Sequence, residues 1–584
     1  MNNTPTPAYG GAALLSLLWL FATCAHGDIT IDVSGVDGDI RINVLSFLSL
    51  QRYADNSSVT PETVQRIYQR IPQEVRAAVK PFGFYEAKIA TTLKREGEAG
   101  RDWRATVKID LGLPVIIHEV EIIVTGPGAT SPIFKRVLAR STMTIGQRLQ
   151  HADYENLKSS LERTAAANGY LDAKFERREL LVDTSKRSAS VHLVQSTGPR
   201  YHFGSTQIEQ TVIEAQLMNK YLRYHPNDFY DTGALLRTQF ALDDSQYFSA
   251  VEVLPGVRDP NTLTVPIIIR TKPNKKNRYS VGVGYGTDTR WRGTLAWDDR
   301  LINARGHHSR VAVKLSGISQ ELEAHYIIPI GDPALEKFSI ESTYGRTTLG
   351  DVTTTGLIVK PGLTQVMGNW QRVFFVSGNE TISRTNFTRT NDRLLIPGMS
   401  YASIPKGYFG QPIAGRGLFV ELTGSVQALG ANGNFLRLLV QDDRRFDLSK
   451  NWHLLLRGQL GATVASQLSE IPANQRFFAG GDRSVRGFAL NDLSPVDVHG
   501  QKIGGRDLVV ASVEIERALP RSFAVAGFVD AGNAMDSFHS PLKYAVGVGL
   551  RWKLPAISVG FDVARAIYPR GLGPRLHLNI EPNF

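Results

Sequence analysis

The sequence predicts three small N-terminal α+β modules followed by a transmembrane antiparallel β-barrel of about sixteen strands. Three observations lead there. A short motif recurs at intervals of roughly 80 residues through the first half, the length of a small folded unit and too long for a solenoid repeat. The second half alternates apolar and polar residues over many segments, with charge on the polar side. After residue 27 no apolar run reaches the roughly eighteen residues a membrane-crossing helix needs. Such a chain crosses a membrane as a closed barrel or not at all.

Residues 1–27 read as a secretory signal peptide. Gly10 to Ala25 is its apolar stretch, with cleavage after Ala25 or Gly27, although no Lys or Arg precedes it. Cys24 is the single cysteine of the chain. A lipid anchor there needs Leu and a small residue ahead of it, whereas Phe21-Ala-Thr stands in that place. Cleavage would leave a chain without cysteine, which suits an oxidising compartment. The net charge of +11 comes from scattered Lys and Arg, with no run longer than Lys275-Lys276. That fits a basic surface beside lipid headgroups better than a nucleic-acid stripe, but the charge alone does not choose.

The modules divide as residues 28–112, 113–198 and 199–273. Gly83-Phe-Tyr-Glu-Ala-Lys-Ile89 recurs as Gly169-Tyr-Leu-Asp-Ala-Lys-Phe175 and, more loosely, as Gln246-Tyr-Phe-Ser-Ala-Val-Glu-Val253. Each copy opens on a strand: Ile29 to Val33, Val120 to Val124, and Tyr201 to Phe203. Helical periodicity follows, as in Tyr154, Leu157, Leu161 and Thr164, which Asn168-Gly169 stops. In the third copy the helix carries Leu235, Leu236, Phe240 and Leu242. Closing strands are Thr106 to Asp110, Ser190 to Val194 and Leu263 to Arg270. The order is strand, helix, helix, strand, strand. Pro114, Pro199 and Pro273 mark short, stiff boundaries. A sheet edge in such a module can accept an added partner strand, although edges are also commonly blocked.

Residues 274–584 give roughly 19 residues per strand and loop for sixteen strands. Tyr544, Val546, Val548, Leu550 and Trp552 share one face, and Ala545, Gly547, Gly549 and Arg551 the other. Leu454, Leu456, Leu460 and Ala462 likewise oppose His453, Arg457 and Gln459. Val509, Ala511, Val513 and Ile515 oppose Ser512, Glu514 and Glu516. The end strands must meet to close the barrel. The first carries Ser280, Gly282, Gly284 and Gly286 on one face, and glycines weaken a strand. The last, Leu576 to Phe584, aligns Leu576, Leu578, Ile580 and Phe584, and is interrupted by Pro582, which has no N–H to donate. The seam between them is expected to be weak. A disulfide near Gly284 and Leu578 would lock it.

One loop stands out. Arg476-Phe-Phe-Ala-Gly-Gly-Asp-Arg-Ser-Val-Arg-Gly-Phe488 sets Arg483, Val485, Arg486, Gly487 and Phe488 at a tip unlike a disposable polar turn. Phe523-Ala-Val-Ala-Gly-Phe-Val-Asp530 follows. With Phe523, Val525 and Val529 facing out, Asp530 faces in, where a loop folded into the lumen brings it Arg486 as a charge-assisted pair. A simple pair predicts that Arg486→Ala and Asp530→Ala destabilise the barrel equally.

These two motifs, in this order, resemble the signature of the BamA/TamA superfamily of bacterial outer-membrane assembly factors, and the three modules resemble its POTRA domains. The resemblance, nearest to the TamA branch, implies tandem POTRA domains in the periplasm and a barrel in the outer membrane. It also implies an Arg486–Asp530 pair in the lumen and a lateral seam that opens to client outer-membrane proteins or lipid. The partner it implies is a long TamB-like protein anchored in the inner membrane. Clients would include autotransporters. A two-partner secretion exporter shares the barrel and loop but usually has two POTRA units behind a plug helix, and a passive porin has no modules. A phospholipid bridge stays open as an alternative.

No enzyme, cofactor or metal is expected, since no nucleophile elbow, zinc motif or phosphate loop occurs. His307-His308 point oppositely on a strand and read as loop histidines. Asp442-Asp-Arg-Arg445 reads as a hairpin or lumenal charge cluster.

Overall fold

The computed structural model describes residues 29–54, 59–96, 102–404, 417–431, 433–554 and 557–582. The residues read as a signal peptide, with Cys24, and Phe584 lie outside the described residues. The chain forms two compact units, one of residues 1–202 with two short later segments, the other holding most of the third module and all of the barrel.

In the first unit, strands Ile29–Ser34, Lys88–Glu96 and Asp102–Asp110 form a sheet in the order first, third, second. The first and third strands are parallel, so helices must carry the chain across between them. Among its described residues this module has three α-helices, Gly38–Phe47, Pro61–Tyr68 and Ile71–Val79, rather than the expected two. The helix Pro61–Tyr68 is started by Thr60, whose hydroxyl accepts the Thr63 N–H. Val44, Val64, Ile71, Val75, Val107 and Ile109 fill the core. The second module repeats the sheet order with Ile116–Thr125, Lys174–Asp183 and Ser188–Ser196. Its helix His151–Ala167 buries Tyr154, Leu157 and Leu161 as the periodicity predicts, but its fourth buried residue is Ala165, with the expected Thr164 only half-buried.

The third module's sheet, His202–Glu209, Phe248–Pro255 and Thr264–Pro273, has the same order. Its helix Thr232–Asp244 buries Leu235 and Leu242 but leaves Leu236 and Phe240 exposed. Ala234, Thr238 and Ala241 take the inner places instead, because small side chains let the helix approach the sheet.

The repeated motif has a backbone cause. Gly83, Gly169 and Gln246 all have positive φ, at 85°, 88° and 60°. The turn before the second strand needs a left-handed residue, and the third copy uses glutamine where glycine is unstrained. Gln246→Gly should stabilise this module by about 0.5–1 kcal/mol. The check is slower amide exchange in Phe248–Pro255, and unchanged or faster exchange there would contradict the strain.

The third module is seated on two barrel turns. Tyr247 donates its hydroxyl hydrogen to the Gly306 carbonyl at 2.7 Å, and Arg223 Nη2 donates to Asp332 at 2.8 Å. The Glu214 N–H donates to the Ala304 carbonyl at 2.8 Å. Burial pushes the Tyr247 phenol up to about 12, so it remains a donor at neutral pH.

The barrel is a closed sheet of sixteen antiparallel strands, from Asn277–Gly286 to Arg575–Pro582. Side chains alternate as the dyad pattern predicts. Val281, Val283, Val513, Ile515, Val529 and Val548 are exposed on the outside, while Ser512, Glu514, Glu516 and Asp530 are buried inside. His308 begins a strand and His307 hydrogen-bonds the Tyr326 hydroxyl at 2.8 Å. Asp442 and Arg444 pair within strand Phe435–Asp447 and not at a hairpin.

Candidate functional site: the lumenal loop and the seam

The segment between strands Trp452–Ala465 and Asp507–Ala518 folds into the barrel. Paired glycines shape its turn: Gly480 and Gly481 both have φ of 99°, and Gly480 N–H is capped by the Ser484 hydroxyl at 3.1 Å. Val485 and Phe488 are buried among Leu508, Val510, Ala534, Ala545 and Ala566. The small inward residues on strand Lys543–Lys553 make room. A side chain at Gly547 would meet the Phe528 ring at 2.3 Å and the Val563 carbonyl at 2.5 Å. A side chain at Gly487, where φ is 94°, would place its Cβ 3.2 Å from both Ala545 Cβ and the Ala566 nitrogen.

Arg486 and Asp530 meet at the centre, 2 % and 0 % exposed. Arg486 Nε and Nη2 donate to the two Asp530 oxygens at 2.8 and 2.9 Å, and the Arg486 backbone N–H donates to the same carboxylate at 3.0 Å. The guanidinium also lies 3.3 Å over the Phe528 ring. The pair is part of a larger cluster. Arg486 Nη1 donates to Glu514 at 2.6 Å and to Asp562 at 3.5 Å, and Nη2 to the Ser512 hydroxyl at 3.1 Å. Arg551 donates to Glu514 and Asp562, both at 3.1 Å through Nη2. Arg457 completes the set, its Nη2 3.4 Å from Ser512. The charges balance: Arg457, Arg486 and Arg551 against Glu514, Asp530 and Asp562. Burying such a set is tolerable only because each carboxylate has a cationic partner.

Of the remaining loop residues singled out from sequence, Val485, Gly487 and Phe488 are buried with Arg486, whereas Arg483 is exposed. Glu514, Arg551, Asp562 and Ser512 were missed. Their inward parity was legible, but parity does not say which inward residues share a level.

The seam is shorter than the end strands. The first strand pairs with its sequence neighbour throughout, from Asn277 opposite Asp299 to Gly286 opposite Arg290. With the last strand it makes two residue pairs among the described residues, Tyr285 with Ile580 and Gly286 with Asn579. Thr287 N–H donates to the Leu578 carbonyl at 2.9 Å just beyond. Among the seam residues expected from sequence, Gly286 and Ile580 are in the ladder, and Leu578 joins through Thr287. A Cβ at Gly284 would lie 2.9 Å from the Ile580 carbonyl oxygen. Among the described residues Ser280 and Gly282 have no pair on the last strand, and Leu576 is exposed. Gly284 and Leu578 are therefore not opposite each other, as a lock between them would require. Pairing with the first strand stops before Pro582, which still lies opposite Ile557 on the other side.

A closed barrel whose described seam is short, plugged by a Val-Arg-Gly-Phe loop and preceded by strand–helix–strand–strand modules, defines an outer-membrane barrel with periplasmic POTRA domains. The Omp85 superfamily domain matches residues 275–570, and the POTRA domain described as TamA domain 1 matches residues 30–111. The chain belongs to the Omp85 superfamily. It is 21% identical over 415 residues to the outer membrane protein assembly factor BamA of Nitratidesulfovibrio vulgaris, covering 66% of this chain and 51% of that protein. BamA of Neisseria meningitidis is 36% identical over 157 residues, 20% of either chain. The chain thus spans about half the length of the first of these relatives and a fifth of the second. The crystal structure of BamA from Haemophilus ducreyi lacking POTRA domains 1–3 shares the fold, with a TM-score of 0.63 at 15% identity. That match covers 80% of this chain and 99% of that one.

Proposed function

We propose that this protein is a TamA-type assembly factor that inserts or secretes outer-membrane proteins, autotransporters among them, through its lateral seam. The POTRA modules engage a TamB-like protein anchored in the inner membrane. The short seam, two pairs among the described residues, carries the proposal. A passive pore gains nothing from a wall that is weak at one junction, whereas an insertase must part there and offer its first strand as a template for a client strand. The match of the first module to a TamA POTRA domain supports the TamA branch.

The test is a disulfide across the seam, Gly286→Cys with Asn579→Cys, in a chain with Cys24 replaced by alanine. These positions are directly opposite; a Cβ at Gly286 would lie 3.6 Å from Asn579 Oδ1 and 3.2 Å from the Thr289 hydroxyl, which must give by a few tenths of an ångström. Assembly of an autotransporter client is compared in oxidised and reduced membranes. Loss on oxidation with recovery on reduction is expected. Unchanged assembly under a verified crosslink would refute lateral insertion and point to passage through the pore or to work done by the POTRA arm.

A further inference from the structure

The direct ladder across the seam is short, yet three distant segments converge beside it. Asp288 lies in the turn leaving the first strand, Asp482 opens the loop motif, and His577 sits on the last strand. The Asp482 backbone N–H donates to Asp288 Oδ2 at 2.7 Å, so the loop holds the first strand's turn. The Asp482 carboxylate bonds His577 Nδ1, so the same residue holds the last strand. His577 Nε2 accepts the Gly487 N–H at 3.0 Å, which places the ring hydrogen on Nδ1, pointing at Asp482. The ring is 2 % exposed and held at both nitrogens. Gly481 permits the approach, since a side chain there would meet Asp288 Oδ2 at 2.6 Å.

Two carboxylates and an imidazole within 4.8 Å of one another could suggest a cation site. Both imidazole nitrogens are already committed to protein partners, so the ring has no lone pair left for a metal.

We propose that Asp482 is the bolt of a latch across the seam. It joins the first-strand turn at Asp288 to the last strand at His577, so the seam parts only when the lumenal loop lets go. Arg486 anchors the loop to the wall, and Asp482 passes that anchorage to the two strands that must separate. This goes beyond the assembly function, because it concerns how the seam is held whatever passes through it, and it can be measured without a client.

The experiment is hydrogen exchange by mass spectrometry on the purified full chain in phospholipid nanodiscs, comparing wild type, Asp482→Ala and Asp288→Ala. Asp482→Ala removes the His577 bond and keeps the backbone N–H; Asp288→Ala removes the other half. Each variant is expected to speed exchange in peptides covering 285–290 and 575–582 at least tenfold, with strands Trp370–Arg384 and Arg389–Ser403 unchanged. Oxidising the Gly286→Cys/Asn579→Cys pair should abolish that acceleration. If Asp482→Ala does not form a heat-modifiable barrel, Asp482→Asn, a weaker acceptor for His577, takes its place. Wild-type exchange at the seam in folded variants would overturn the latch. So would acceleration spread evenly over the barrel, or acceleration that persists in the crosslinked protein. Failure of client assembly in the crosslink test would leave these outcomes unaffected.

Discussion

Arg486→Ala is expected to destabilise the barrel more than Asp530→Ala, by about 3–5 against about 2–3 kcal/mol. A simple ion pair predicts equal losses; the cluster does not. Without Arg486 the loop tip loses Asp530, Glu514, Asp562 and Ser512 together, and the three carboxylates face only Arg551 and Arg457. The loop should leave the lumen. Without Asp530, Arg486 keeps Glu514, Asp562 and the Phe528 ring, so the tip remains seated although its N–H and the Ser512 hydroxyl lose an acceptor. Two measurements check this: the temperature at which the barrel loses its heat-modifiable band, and protease cleavage within residues 466–506. Equal shifts with equal cleavage would mean that the pair, and not the cluster, is the unit.

Gly487→Val should release the same loop for a steric reason. A left-handed φ of 94° costs any L-residue about 1–2 kcal/mol, and a β-branched one more. The added carbon also meets Ala545 Cβ and the Ala566 nitrogen at 3.2 Å, so overpacking adds about 1–3 kcal/mol. The Gly487 N–H would then move off His577, loosening the last strand as well. Gly527→Ala is the control. It lies on the Asp530 strand with nothing within 4 Å of a new methyl group, and should change stability by less than about 0.5 kcal/mol. A Gly487→Val barrel with wild-type heat stability and a protected loop would remove the close-packing argument.

Local pattern was enough for a large part of this protein. Alternation along strands such as Phe523–Met535 and Lys543–Lys553 identified both the barrel and the face each residue takes, because a strand has period two wherever it sits. Helix periodicity found most of the buried stripe of His151–Ala167, and Arg486 and Asp530 could be matched through two motifs, a Val-Arg-Gly-Phe loop tip and a strand whose one charge, Asp530, faces inward. Tertiary structure alone decided which inward residues meet. Glu514, Arg551 and Asp562 share a level with Arg486 because the register of neighbouring strands brings them there, and a register spanning tens of residues leaves no local mark. The same applies to the seam. Glycine and proline content said that it would be weak, but only the stagger of the closing strands set which described residues pair across it and brought Asp288, Asp482 and His577 together beside it.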